Sequence, residues 1–304
     1  MGIIVKNSEK VKLSIGVVTM NRAQQLNEAL TSCLKCQLPF LVEFIIVDNA
    51  STDDTEEVVR NVLSGCSYYY EKLKKNIGCG GGRNYAFSLA RGEYFYVLDD
   101  DAMIEDRDFF VKGVDILDHH FEIGTLTSQI YDEAWEKNRV EKSNILIDNN
   151  VHEILTFCGG SHFLRTKCFE EPPYLSNKYG YEEIPPSLLV IDNDMKNAFC
   201  EKMHVIHKPA MNKWEKTSSE YYGLITNELA VQYAIKRNIY PKIFFPFIWS
   251  AFKVRCLKYL SKEKNETRRI QEIICKTTNE SSNFKKIKVK TVFYILKRFG
   301  WSVF

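Results

Sequence analysis

The chain has 304 residues, 45% hydrophobic and 26% charged, with 41 Lys and Arg against 39 Asp and Glu and a formal net charge of +2. That composition is globular and excludes collagen-like, mucin-like and disordered classes. Nine cysteines are too sparse, and odd in number, for a small disulfide scaffold.

In chain order, residues 1–14 lack the apolar centre and small-residue cleavage site of a signal peptide. With cysteines scattered along the chain, this leads us to expect a cytoplasmic protein. Residues 13–20 are a β-branched run, and a helical pattern opens at Asn21-Arg22 and reaches about Cys36. Residues 44–48 (FIIVD) predict a second strand, followed by the cap-like Ser51-Thr52-Asp53-Asp54 and a helix over 54–64. A third strand is expected at 67–70, a glycine loop at 78–82 and a helix at 84–91. The fourth strand, 93–98, stops at Asp99-Asp100-Asp101, and a helix at 106–120 and a strand at 122–130 follow.

Short apolar strands alternating with helices predict an α/β fold, a mostly parallel central sheet flanked by helices. In such sheets ligands sit beyond the carboxyl ends of the strands. The polar clusters at Asn21, Asp48 and Asp99-Asp100-Asp101 fall at those ends.

From about residue 131 the rhythm changes. Residues 131–150 read as a polar loop, and 152–165 as strand around Cys158-Gly159-Gly160. Prolines 172, 173, 185 and 186 surround Gly180-Tyr181-Glu182-Glu183, and 188–199 looks helical. Past 215 the chain reads as a helical extension, so the expected division is 1–215 and 216–304. Residues 251–304 hold 14 Lys and Arg against 4 Asp and Glu, a balance of +10 that leaves −8 for the rest. The longest uncharged apolar stretch, 243–252, holds Pro246 and Ser250 and is half the roughly 20 residues a membrane-spanning helix needs. The basic, aromatic tail fits peripheral docking on an anionic membrane, and equally a helix packed on the domain or an oligomer contact. No nucleic-acid module accompanies it, so nucleic acid is not an expected partner.

The chemistry-bearing residues are carboxylates. Three adjacent Asp after a buried strand repel one another unless a cation neutralises them. Asp at i and i+2 can direct oxygens toward Mg²⁺ or Mn²⁺, which take phosphate oxygens as further ligands. Asp48, at a strand end, is placed to accept hydrogen bonds from a base or ribose. The stretch from Asn76 through Gly78 and the following glycines to Arg83 lets backbone approach a ligand, with Arg83 available to phosphate. It is neither the dinucleotide fingerprint nor a P-loop. Cys33-Leu34-Lys35-Cys36 is a lone pair without a second pair at zinc spacing, and a buried-face cysteine is expected.

The order of VVTMNR (17–22), IIVDNASTDDT (45–55), NIGCGGGRN (76–84) and YVLDDDA (96–102) resembles the inverting family 2 glycosyltransferases. The resemblance covers residues 12–210 and implies the GT-A fold of nucleotide-diphospho-sugar transferases. It implies that Thr19 and Asp48 hold base and ribose, with Asn21, Arg22, Asn76, Gly78 and Arg83 also on the donor side. Asp99 and Asp101 stand at the D-x-D motif that binds the metal, Asp100 contacts ribose or sugar, and His207 closes the diphosphate–metal site. Gly159, Gly160 and Ser161 resemble the strand and loop facing the acceptor. Gly180-Tyr181-Glu182-Glu183 matches the segment of the catalytic base, with Glu183 in the base position and Glu182 as the alternative. Leu189 stands where the family often has Arg.

The expected function is therefore metal-dependent inverting transfer from a nucleotide sugar, with UDP the preferred carrier, to a growing or lipid-linked bacterial surface glycan. A sugar-1-phosphate nucleotidyltransferase is the first rival. It would need a basic glycine-rich loop after the first strand, which VVTMNRAQQL lacks. A non-catalytic membrane-associated binder of nucleotide or glycan is the second, and Glu182 and Glu183 argue against it.

Overall fold

The structure, a computed structural model, describes residues 10–139, 143–177, 180–209, 219–260 and 264–304. The expected division at 215 lies outside the described residues. The first half runs β1 (Leu13–Thr19), α1 (Ala23–Lys35), β2 (Val42–Asp48), α2 (Thr55–Val62), β3 (Tyr68–Lys72), α3 (Gly78–Leu89), β4 (Tyr94–Asp99), β5 (Ala102–Ile104), α4 (Phe109–His119) and β6 (Ile123–Asp132). The second half runs β7 (Lys137–Asn138), β8 (Leu146–Asp148), β9 (Val151–Ile154), β10 (Ser161–Arg165), α5 (Ile184–Asp192) and β11 (Lys196–His207). It closes with α6 (Ser219–Ile239), α7 (Phe245–Tyr259), α8 (Lys264–Glu280) and α9 (Val289–Phe299).

One sheet of order β3-β2-β1-β4-β10-β6-β11-β9-β8 forms the centre, with β5 on β11 and β7 on β6. The β3-β2-β1-β4 half is parallel, as expected. The other half is mixed, because β10 runs antiparallel to both β4 and β6. Alternation of side chains across the pleat explains the near-continuous apolar strands. Phe44 and Ile46 of β2 face the core beneath α1, α2 and α4, whereas Ile45 and Val47 face the core beneath α3. Tyr94, Tyr96 and Leu98 of β4 divide from Phe95 and Val97 in the same way. Each such buried side chain contributes about 1.5–3 kcal/mol relative to exposure.

Besides the short β7 and β8, which fall in the stretch 131–150 expected to be a loop, two elements differ from the sequence expectation. The glycine run is the opening of α3, not a loop. Gly is a poor helix former, but packing overrides propensity. A Cβ on Gly80 would lie 2.0 Å from the Leu175 carbonyl oxygen, and one on Gly82 would lie 2.5 Å from Val18 Cγ1. Gly80→Ala should therefore destabilise the fold by about 1–3 kcal/mol, as overpacking does, although Ala favours helices in isolation. An unchanged thermal midpoint would count against that close approach. The second difference is at 188–199. The helix starts earlier, at Ile184, with Pro185 and Pro186 in its first turn, where a missing N–H costs nothing. It ends at Asp192, Asp194 takes a left-handed turn (φ 59°), and β11 begins at Lys196.

The third core lies beneath the C-terminal helices. It joins Leu175, Ile184, Leu188 and Ile191 to Ala230, Val231, Ile235, Ile248, Ile273, Val292 and Ile295. The basic C-terminal segment is not a free tail. Thr291 Oγ1 and the Lys288 N–H donate to Asp192 at 2.6 Å, Lys290 pairs with Asp194 at 3.0 Å, and Arg298 and Tyr294 reach Glu153. Among the described residues no helix is long and apolar enough to cross a membrane.

Candidate active site

Sheet register assembles the site. Thr19 pairs with Asp48 across β1 and β2, and Val18 pairs with Asp99 across β1 and β4, so three strand ends open on one edge. β5 then pairs antiparallel with β11, bringing Ala102 opposite His207. The Lys208 N–H donates to the Asp101 carbonyl at 2.8 Å. The backbone ladder thus sets His207 beside the Asp triplet although 106 positions separate Asp101 from His207 in sequence.

One ligand atom each from Asp99, Asp101 and His207 lie within 4.8 Å of one another. Two carboxylates and an imidazole are a donor set suited to Mn²⁺ or Mg²⁺ with phosphate oxygens completing the shell. His207 is oriented by Asp132, whose carboxylate lies 3.2 Å from Nδ1, which turns Nε2 toward Asp101 at 3.1 Å. Burial works against the Asp101 anion. The hydrogen bond and charge of His207, with the charges of Arg22 and Arg139, outweigh it and hold this carboxyl below the usual carboxylate range. Burial pushes its neighbour Asp100 up to about 6 against the pull of Arg22.

Beside these groups opens a cleft of about 660 Å³ lined by Thr19, Arg22, Asn49, Asn76, Gly78, Asp99, Asp100, Asp101, Trp135, Arg139 and His207, among others. Arg22 donates to Asp100 at 2.9 Å and Asp101 at 2.6 Å. Asn21 (φ 53°) does not line the cleft. Its Oδ1 accepts from the Thr52 N–H at 2.7 Å, and its own N–H donates to Ser51 Oγ at 2.9 Å, stitching two loops together. Asp48 is buried and does not line the cleft. It accepts from the Ser51 N–H at 2.6 Å and from the Tyr70 hydroxyl at 2.7 Å, so it holds its own loop. Asn76 accepts from the Gly78 N–H at 2.7 Å at the mouth of α3.

Arg83 is 3% exposed. One Nη donates to Asp99 at 2.6 Å, and the other donates to Glu182 in a very short contact. Both ends of its fork are occupied, so Arg83 bridges Asp99 to Glu182 and does not line the cleft. Gly159 and Gly160 permit this. A Cβ on Gly159 would meet Arg83 Nη1 at 3.0 Å, and one on Gly160 would meet Asp99 Oδ2 at 3.0 Å. Ser161 faces the interior: its hydroxyl is 2.8 Å from Tyr96 and from Ser128. Glu183 is half-buried at the N-cap of α5. Burial, then the charge of Glu182, push its carboxyl up to about 8.

Asp132, Trp135 and Arg139 join the site without a motif in the sequence to mark them. Arg139 donates to Asp132 at 2.7 Å, and its Nη2 lies 3.4 Å from His207 Nε2. All three sit where a polar stretch reads as a loop. The one available signal is Asp132 at the carboxyl end of a strand. Cys33 is buried and Cys36 half-buried, and both thiols are free and raised by burial, as a core-facing pair should be.

Comparison with known proteins follows the same lines. A curated uncharacterized glycosyltransferase of Rickettsia typhi is 33% identical over 96 residues, 32% of this chain and 29% of its own length. Poly(ribitol-phosphate) beta-N-acetylglucosaminyltransferase TarS of Staphylococcus aureus is 30% identical over 115 residues, 37% of this chain and 20% of that protein. The GalNAc(5)-diNAcBac-PP-undecaprenol beta-1,3-glucosyltransferase of Campylobacter jejuni is 36% identical over 92 residues, 30% of this chain and 29% of its own. The matches thus span less than a third of these relatives' length. Among solved structures, S. aureus TarS 1-349 with UDP-GlcNAc superposes with a TM-score of 0.59 at 18% identity, covering 89% of this chain and 82% of that one. GalNAc-T7 with UDP, GalNAc and Mn²⁺ gives 0.65 at 12% identity, covering 97% and 57%. Both share the GT-A architecture. The Glycosyl transferase family 2 pattern matches residues 14–171, more than half of the chain, and with this fold around it the chain belongs to glycosyltransferase family 2.

Proposed function

We propose that the protein moves a sugar from a UDP-sugar to an acceptor hydroxyl on a growing or lipid-linked bacterial glycan, with inversion and with the help of Mn²⁺ or Mg²⁺. The observation that carries this reading is the Asp99–Asp101–His207 group at the rim of the cleft. TarS solved with UDP-GlcNAc, and GalNAc-T7 solved with UDP, GalNAc and Mn²⁺, support the donor and the ion. The undecaprenol-linked substrate named for the C. jejuni relative supports the acceptor class.

Asp99, Asp101 and His207 would hold the ion. When bound, a divalent ion supplies positive charge against the diphosphate leaving group. The chain's own groups do the rest. Thr19, Asn76 and Asp100 border the space for nucleoside and sugar. Arg139, 3.4 Å from His207, adds a fixed cation beside the phosphates. Glu183 takes the proton of the acceptor hydroxyl, whose oxygen bonds to the anomeric carbon as the bond from that carbon to the diphosphate breaks. A carboxyl kept above its usual range by burial is a stronger base than an exposed one. Glu182 is held by Arg83 and shapes the field around Glu183.

A panel of nucleotide sugars with Mn²⁺ or Mg²⁺ tests the reading, scored by donor hydrolysis and thermal stabilisation. A donor at 100 times its dissociation constant should add about 2.7 kcal/mol. No stabilisation by any nucleotide diphosphate in the presence of either ion would overturn it.

A further inference from the structure

Helix α7 carries apolar side chains on its inner and its outer face. The inner face, Ile248 with Ala251 and Phe252, packs into the C-terminal core. The outer face carries Phe247, Val254 and Leu257, with Ile243 one turn before Phe247, and all four are exposed, Leu257 at 76%. The spacings of 4, 7 and 3 residues place them on one stripe. The stripe continues onto the chain's end. Phe247 lies 5.9 Å from Trp301, which is 67% exposed, and Phe293 of α9, 57% exposed, lies 5.6 Å from the buried Phe244 that precedes α7. A helix apolar on opposite faces is expected to be covered on both. Contiguous exposed apolar surface of this kind marks an interaction site.

Charge identifies the cover. Residues 229–262 and 281–304, which contain all of this surface, hold thirteen Lys and Arg and no Asp or Glu. Lys288, Lys290 and Arg298 are paired with Asp192, Asp194 and Glu153. Lys253, Lys258 and Lys297 are exposed on the surface itself. Lys253 lies over the Trp249 ring at 4.6 Å and Lys258 over the Tyr259 ring at 4.8 Å. Lys253 stands four residues before Leu257 and Lys258 four after Val254, so both border the apolar stripe, as in a helix lying among lipid headgroups. A second copy docked face to face would set these cations against themselves, which opposes binding. α7 has 15 residues, about 22 Å at 1.5 Å per residue, too short to span roughly 30 Å of hydrocarbon.

We propose that the face formed by α7, the outer side of α9 and Trp301 lies on the surface of an anionic lipid bilayer. The aromatics enter the headgroup boundary and the lysines meet lipid phosphates. This docking is independent of the transfer chemistry, so it can fail while the proposed function stands, and the reverse.

The test uses the full chain with vesicles of phosphatidylcholine alone and vesicles containing a third phosphatidylglycerol, read by co-sedimentation. Binding to the anionic vesicles only, weakening as salt rises, is expected. Leu257→Ser with Val254→Ser, two side chains that stand out from the fold, should lower that binding at least tenfold with the thermal midpoint unchanged. Lys253→Glu with Lys258→Glu should do the same, since each charge near such a surface is worth about fivefold. Equal vesicle binding by the parent and both variants would overturn the proposal. So would a parent that ignores anionic vesicles and forms dimers in solution, with the Leu257→Ser variant monomeric.

Discussion

Asp101→Asn should lower sugar transfer by at least about a hundredfold, the scale on which removing one preorganised electrostatic group from an active site is felt. The substitution keeps the shape of a side chain that is 6% exposed, so the fold should survive. What changes is charge. Asp101 receives Arg22 at 2.6 Å and His207 at 3.1 Å, and its anion is held below the usual carboxylate range by them. An amide there contributes a neutral oxygen and turns an N–H toward the imidazole. Two readouts separate the ion from the nucleotide. Stabilisation by UDP alone should persist, whereas the extra stabilisation that Mn²⁺ gives in the parent should disappear. Undiminished transfer at saturating Mn²⁺ would remove Asp101 from the site.

Glu183→Gln should lower transfer by about 10²–10⁴-fold, the range of a lost general base, while UDP with Mn²⁺ still stabilises the protein. The pH dependence of the parent carries a second signature. Glu183 is pushed up to about 8 by burial first and by Glu182 second. A base must be unprotonated, so the rate should climb through neutral pH and fall away on its acid side, where an ordinary carboxylate would already be flat. Glu182→Gln removes the neighbouring anion and should shift that limb toward lower pH. It also leaves the buried Arg83 with Asp99 alone, so it should destabilise the protein more than Glu183→Gln does. A Glu183→Gln enzyme within a few-fold of the parent would transfer the role to Glu182.

The strand ends are legible because buried parallel strands announce themselves. FIIVD and EYFYVL are apolar runs that stop at carboxylates, and register then makes their ends neighbours. The convergence of Asp99, Asp101 and His207 is legible only through resemblance, since nothing local to VIHKP shows that it pairs with β5. Gly78–Gly82 reads as a loop because that is the usual meaning of four glycines in five. The helix there answers to Leu175 and Val18, which are remote in sequence. Arg83 and Asp48 read as open to a ligand, yet the structure closes them on Glu182, Asp99, Ser51 and Tyr70. Arg139 is hidden for the opposite reason, since a polar stretch without periodicity gives no hint of which side chain folds back over a histidine, and Asp132 has only its strand end to mark it.

α5 connects these observations to the far end of the chain. The helix that begins beside Glu183 rests Ile184, Leu188 and Ile191 not on the sheet alone but on α6 and its followers. The C-terminal helices therefore lie under the helix that begins at Glu183, the proposed base. Trimming the protein back to its recognisable family segment, which ends at residue 171, would discard Glu182, Glu183 and the floor they stand on together. Under the proposed function, a fragment cut at residue 171 would keep the Asp triplet and lose the base, its support and His207.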